Sequence, residues 1–295
     1  MAVKIGIIWG NHRNDLLYHT HHSFWEAALQ DRKDVHLSRY TWGEFPDMPK
    51  TLDLYLFVDF HPSLFKLSRM SFRNTAYYWW DSYHLSQAIA LPVSELFDRS
   101  YFAEHVSAVQ ARQYGFPVQW LPPAFYPGVF RPLPLRPKVH DYAFVGQMND
   151  VVERSGDTKR SFMEKLARAK DLHGYMGAGT YGDRVNDIYN DARVLFERTI
   201  FSTVGTRFFE LLGSGGFCLM NRLRPPSGIE HLAIDGIHYA SYDDTYLDFE
   251  RKLRYYLSRP EEMEALARAG HAHVLQHHTY ARRLEKILSD FGLVQ

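Results

Sequence analysis

The chain has 295 residues, of which 45% are apolar and 15% aromatic, and its 34 Lys+Arg are matched by 34 Asp+Glu. That length favours two domains over one large α/β domain, and the composition builds cores rather than a disordered tail. A zero formal net charge disfavours a dedicated nucleic-acid binder, and no apolar run approaches the ~20 residues that span a bilayer, so the expectation is a cytoplasmic protein.

The first half alternates strand and helix signals. "VKIGIIWG" reads as a buried strand rather than a leader peptide. "SFWEAALQ" is a short amphipathic helix, "DVHLSRYTW" and "DLYLFVDF" are strands, and "TAYYWWDSYH" is an aromatic-rich strand ending in polar residues. "RSYFAEHVSAVQARQYG" gives a strand edge and then a helix stopped by Gly115, followed by "VQWLPPAF". Strands separated by helices pair in parallel through right-handed crossovers, which predicts an open doubly wound sheet.

The composition then shifts. "LPPAFYPGVFRPLPLRPKVHD" carries Pro122, Pro123, Pro127, Pro132, Pro134 and Pro137. Prolines at that density remove amide donors and fix φ, so neither a helix nor a central strand continues there. After it the alternation restarts with strand "YAFVGQM", helix "KRSFMEKLARAK" and a possible strand "DLHGYMG". Helical "VNDIYNDA" and strand-like "RVLFERTI" come next, then the helix of "GTRFFELLG", strand "GFCLMN", strand "IHYASYDD" and three helical segments. Cys218, the one cysteine, excludes an internal disulfide and reads as a small buried hydrophobe. Ser258 and Glu261 have capping-box spacing for "PEEMEALARAG", and Thr279 can cap the last helix.

This pattern gives an N-terminal Rossmann-like domain over residues 1–121, a proline-rich linker over 122–140 and a second Rossmann-like domain over 141–276. Residues 277–295 form a C-terminal helix that can cross back to the first domain. Two parallel sheets facing across a cleft are the expected architecture, with ligands beyond the carboxyl ends of the strands.

In "STVGTRFFELLGSGGFCLMN" a two-turn helix starts at Gly205 or Thr206 and must end by Gly213. Its free amides and dipole make an anion site. Glu210 lies one turn from Thr206, and helical side chains lean toward the N-terminus, so its carboxylate aims at the same spot. A carboxylate there suits a vicinal diol such as a ribose; the plain alternative is a surface glutamate on a sheet-packing helix.

This segment, the linker "LPPAFYPGVFRP", the strand ending "FVG" and the tail motifs "YLDF", "YYLSRPEE" and "HTY" together resemble the CgeB-like (spore-maturation-type) glycosyltransferases of the group 1 superfamily. The resemblance covers about residues 115–290. It implies a GT-B fold and transfer of a sugar from a nucleoside diphosphate sugar, UDP-linked, without a metal or other cofactor. By that resemblance Glu210 binds the nucleotide ribose, Thr206 and Arg207 beside Gly205 hold the donor diphosphate, and Gly146 and Arg160 match the family best in the loop after "FVG". Many relatives carry an earlier glutamate eight positions before the second; here that position is Ser202, and Glu197 is at the wrong spacing to replace it.

Asp81 and His84 stand just past a strand end and are candidate bases for an acceptor hydroxyl, with Asp59 a weaker case; capping and surface roles are their plain alternatives. Gly10, Asn11 and His12 occupy the first loop, which in a GT-B arrangement approaches the sugar diphosphate. "GNHRND" is not a G-x-G-x-x-G fingerprint, which disfavours a dinucleotide site. Arg154 and Lys159 add positive charge near Arg160; a solvated helix start is an equal reading for Arg160 and the favoured one for Arg154 and Lys159. The clusters "HTHH" and "HAHVLQHH" invite a metal reading, but no cysteine or suitably spaced carboxylate completes a ligand set. The expected partners are a nucleotide-sugar donor and a saccharide, protein or small-molecule acceptor, with a nucleic-acid base disfavoured by the charge balance. The rivals are a sugar-nucleotide epimerase on the same fold and a non-catalytic scaffold.

Overall fold

The computed structural model describes residues 2–9, 21–44, 47–59, 72–80, 91–134, 136–148, 156, 158–199 and 202–293. The chain divides into two compact units: Met1–Pro123 with Tyr280–Gln295, and Ala124–Thr279.

In the first unit, runs of apolar and β-branched or aromatic residues form β1 (Val3–Ile8), β2 (Val35–Tyr40), β3 (Leu54–Val58), β4 (Thr75–Trp79), β5 (Arg99–Phe102) and β6 (Val118–Trp120). Among the described residues they make one six-stranded sheet in the order β2-β1-β3-β4-β5-β6, and every pairing is parallel. β3 and β4 are buried along their whole length, which explains why they read as continuous apolar runs rather than as alternating ones. Helices α1 (His21–Gln30), α2 (Leu91–Ser94), α3 (His105–Gln113) and a C-terminal helix (Tyr280–Asp290) belong to this unit. One core cluster packs Phe57, Tyr77, Trp79 and Phe102 against Phe97 and Ala108. On α1, Trp25 packs edge-on against Tyr78 and against Tyr280 of the C-terminal helix. Arg283 of that helix is buried and donates to the carbonyls of Pro122 and Pro123, and burial lowers its pKa to about 10.

The second unit repeats the plan with β7 (His140–Val145), β8 (Gly174–Gly177), β9 (Ala192–Glu197), β10 (Phe217–Asn221) and β11 (Ala240–Tyr242). Among the described residues the sheet order is β11-β10-β9-β7-β8, again all parallel. Its helices are α4 (Lys159–Ala167), α5 (Asp183–Asp191), α6 (Thr206–Gly213), α7 (Tyr246–Leu257) and α8 (Pro260–His277); the C-terminal helix is then α9. Phe144, Phe162, Phe196, Tyr242 and Phe249 form the centre of the core.

The proline-rich segment is laid along α5. The amides of Arg131 and Leu133 donate to the side chains of Asn186 and Asn190, while Arg136 pairs with Asp187 and Asp191. Side chains of the helix thus satisfy a backbone that can form no ladder of its own. The expected Ser258–Glu261 capping box is corrected. Ser258 is instead the C-cap of α7, α8 starts from Arg259 with no side-chain cap, and Pro260 occupies its first turn. The Ser258 hydroxyl bonds back to the Tyr255 carbonyl, so one short Ser-Arg-Pro connection ends one helix and starts the next.

Candidate donor site in the second unit

In a parallel sheet wound in two directions, a crevice opens where the winding reverses. In the second unit β8 lies on one side of β7, while β9, β10 and β11 lie on the other. The reversal therefore falls between β7 and β9. Gly146 follows β7, Glu197 ends β9, and the loop after Glu197 leads into α6.

That loop is tied down by Asn221 at the end of β10. Its side-chain oxygen accepts from the Thr199 amide at 2.9 Å, and its nitrogen donates to the Thr199 carbonyl at 3.1 Å and to Asp244 at 3.3 Å. The Thr199 hydroxyl in turn donates to the Thr203 carbonyl at 2.7 Å. Ser202 adopts a left-handed backbone with φ of 53°. Helix α6 then starts from Gly205, whose extended conformation supplies no side-chain cap. A Cβ built on Gly205 meets nothing within 4 Å. The first amides of α6 are thus left for another partner, and the space at Gly205 is open, as an anion site requires. Phe208, Phe209, Leu211 and Leu212 hold the other face of the helix in the core.

Arg207 does not extend into open space. Its Nη1 bonds both Glu197 carboxylate oxygens at 2.8 and 3.0 Å, and its guanidinium lies 4.8 Å from the centre of the Phe144 ring. A Cβ on Gly146 would come within 2.2 Å of Arg207 Nη2, so glycine at that position is what lets the guanidinium lie over the end of β7. Burial opposes the Arg207 charge, but Glu197, Tyr189 and Glu210 outweigh it and hold its pKa above the ordinary arginine value. Lys159, only 6% exposed, approaches the same Phe144 ring, with Nζ 5.7 Å from the centroid. Two cations therefore sit on one aromatic ring, an arrangement worth about 1 kcal/mol per contact when partly desolvated.

Glu210 is half-buried. Burial pushes its carboxyl up to about 7; Arg207 opposes the rise and Glu197 adds to it. Among the described residues its carboxylate has no hydrogen-bond donor, while Glu197 already neutralises Arg207. Glu210 is accordingly the carboxyl with acceptor capacity to offer a ligand.

Of the residues expected from sequence, Gly146, Gly205, Thr206, Arg207 and Glu210 come together in this one region. Arg160 is exposed on the first turn of α4 and donates to the Met148 carbonyl at 3.3 Å. Its neighbour Lys159, read as a solvated helix start, is the buried cation. Gly10, Asn11, His12, Asp81, His84 and Arg154 lie outside the described residues. Sequence reasoning set Glu197 aside for its spacing, yet it orients Arg207. A carboxylate directly after the apolar run Val194–Phe196 was the signal that pointed to it. In the histidine-rich tail, His273 and His278 both approach the Leu232 carbonyl, at 2.7 and 3.0 Å, and His271 approaches that of Leu212. Among the described residues no three His, Cys, Asp or Glu side chains are grouped to hold a metal ion, and no helix is long and apolar enough to cross a membrane.

Fold and site define an α/β protein of two parallel-sheet units, with an uncapped helix start, two cations and a carboxyl gathered at one switch point. Residues 154–289 match the family described as glycosyl transferase-like. No curated protein matches the chain by sequence. Among solved structures, HepE of Anabaena in complex with UDP and glucose is similar at a TM-score of 0.69 and 9% identity, covering 99% of this chain and 100% of that one. Sucrose-phosphate synthase from Thermosynechococcus elongatus is similar at 0.65 and 11%, covering 98% and 97%. An α-glucosyltransferase in complex with UDP and a 13-mer DNA containing a HMU base is similar at 0.66 and 10%, covering 99% and 100%. At such identities the likeness is one of fold, and that fold is GT-B. The family match makes the C-terminal half similar to glycosyl transferase-like proteins.

Proposed function

We propose that this protein is a glycosyltransferase of the CgeB-like (spore-maturation-type) kind, moving a sugar from a UDP-linked donor to an acceptor hydroxyl without a metal ion. The observation that carries this reading is the conjunction, at the β7/β9 switch point, of an uncapped α6 N-terminus with a buried lysine, a part-buried arginine and one available carboxyl. Diphosphate binds at Gly205 and Thr206, and Glu210 takes the ribose diol. Arg207 and Lys159 then stabilise charge on the departing nucleoside diphosphate, a task that fixed cations and amides perform without reorganisation. Arg160, at the rim, adds long-range attraction for the donor. The UDP and sugars named with the similar structures support the choice of uridine. The acceptor is a saccharide, protein or small molecule in the cytoplasm; the zero net charge makes a nucleic-acid base a less favoured acceptor.

Incubation with UDP-, GDP-, ADP- and TDP-sugars, each with and without mixed acceptors and followed by NMR, tests the reading. UDP release that rises with acceptor is the expected result. Interconversion of the donor's sugar without UDP release would make the protein an epimerase, and no change in any donor would leave it a scaffold.

A further inference from the structure

A group of histidines gathers in the second unit, and the donor site uses none of them. The imidazoles of His238, shortly before β11, and His273, on α8, stack with centroids 4.0 Å apart and planes 13° from parallel. The rings of His277 and His278 lie 5.0 and 5.2 Å from that of His273.

Hydrogen bonds fix where the protons sit. A carbonyl only accepts, so His273 and His278, which meet the Leu232 carbonyl through Nε2 at 2.7 and 3.0 Å, carry a proton on that nitrogen. His238 is the opposite case. Its Nδ1 accepts from the Ile234 amide at 3.1 Å, so the neutral ring carries its proton on Nε2. A second proton can enter only at Nδ1, and it ends that bond.

The bond closes a tight turn set against two helices. The Ile237 and His238 amides both donate to the Ile234 carbonyl. A Cβ on Gly270 of α8 would come within 2.2 Å of the His238 carbonyl oxygen, so α8 lies directly on the turn. Tyr239, 6% exposed, packs edge-on against Phe208 of α6 at 5.3 Å, and Phe209 of α6 meets His278 at the same separation. Helix α6, which carries Glu210 and the uncapped start of the candidate donor site, is therefore braced by this turn.

The charged groups around the turn do not offset a charge on the stacked pair. Glu230 faces His231 at 3.9 Å, Asp235 accepts from the Ser241 amide at 2.8 Å, and Arg222 and Lys252 both reach Ser241. On α8, His271 approaches the Leu212 carbonyl at 3.1 Å, while α6 meets the cluster through Phe208 and Phe209. Among the described residues no carboxylate pairs with His238 or His273. Burial, with His273 and His277 beside it, accordingly holds His238 below the ordinary histidine value. The α8 C-terminus favours charge on His277, which deepens the penalty at His238. A histidine shifted that way contributes stability that is full above about pH 6.5 and is lost as pH falls through its folded value.

We propose that the stacked His238–His273 pair is an acid-released latch. Neutral, it holds residues 229–239 against α8 and α6; protonation of His238 frees the turn and unbraces α6. The consequence for nucleotide binding rests on the donor-site reading above, whereas the release of the turn does not.

The test compares wild type with His238→Asn at pH 7.5 and pH 5.0, since asparagine Oδ1 replaces Nδ1 as acceptor and does not titrate. Amide hydrogen exchange, corrected for its intrinsic pH dependence, should show residues 234–239 of wild type losing about tenfold or more of their protection at pH 5.0, while His238→Asn stays within about twofold. UDP affinity should be alike in the two proteins at pH 7.5 and about fivefold or more tighter in His238→Asn at pH 5.0. Ionisation of Glu210 acts on both proteins and cancels from that ratio. Wild-type protection that does not change with pH, or an equal loss in His238→Asn, overturns the latch. So does an Nδ1–H tautomer of His238 in the ¹⁵N spectrum of wild type at pH 7.5, a result that does not depend on the variant folding. Equal UDP affinity in the two proteins at pH 5.0 overturns the coupling to α6. Exchange as expected, with no UDP bound at either pH, supports the latch and contradicts the donor-site reading instead.

Discussion

Glu210 combines two properties that an ordinary surface glutamate lacks: a carboxyl pushed up to about 7 by burial and, among the described residues, no hydrogen-bond donor. A carboxyl raised from 4.5 to about 7 keeps a proton in the folded protein that the unfolded chain has released. Its contribution to stability is therefore full below about pH 4.5 and is lost as pH rises through about 7. The effect is about 2 kcal/mol once partial exposure is allowed for. Glu210→Gln should raise the unfolding free energy relative to wild type at pH 8 and leave it nearly unchanged at pH 4.5, as read by urea titration at both values. Binding has the opposite sign. A ribose diol donates to the ionised carboxylate, so uridine affinity should increase from pH 6 to pH 8 in wild type and stay flat in Glu210→Gln.

At the scale of elements, the loop between β9 and α6 depends on Asn221, which meets both polar groups of the Thr199 backbone. Asn221 is 4% exposed, so truncation leaves buried backbone groups unsatisfied at about 1–3 kcal/mol. Asn221→Ala should lower the melting midpoint by several degrees, and should weaken UDP binding because α6 loses its fixed start. Equal UDP affinity in a destabilised Asn221→Ala would separate loop anchoring from the site. The α6 segment was the most legible element in the sequence, because glycines bracket an amphipathic helix and set Glu210 one turn from its start. What lay beyond sequence was long-range. Glu197 meets Arg207 across ten positions through the sheet, and His22 meets Asp59 across 37; neither spacing has a helical or strand period to announce it. The Ser258 cap was misread because a serine before Arg-Pro fits a helix end and a helix start alike, and only the preceding helix decides between them.

At the scale of the molecule, two parallel sheets each reverse their winding once. In the second unit the reversal gathers cations, helix amides and a carboxyl. Alternating strand and helix signals were enough to predict both parallel sheets, since buried parallel strands read as short apolar runs. Strand order was not legible, because nothing in β1 or β7 states which neighbour it takes, and so neither switch point was visible before the fold. The prolines marked a change of composition, but in the fold Arg131, Leu133 and Arg136 bind α5 and belong with the second unit.

The measurement that bears most directly on the central claim is calorimetric titration of UDP into wild type and Glu210→Ala at pH 7.5. Wild type should bind, and the variant should bind about 10- to 100-fold more weakly, the loss expected when hydrogen bonds to a charged acceptor are removed. Absence of binding to wild type, or equal affinity in the two proteins, would contradict a donor site at the β7/β9 switch point.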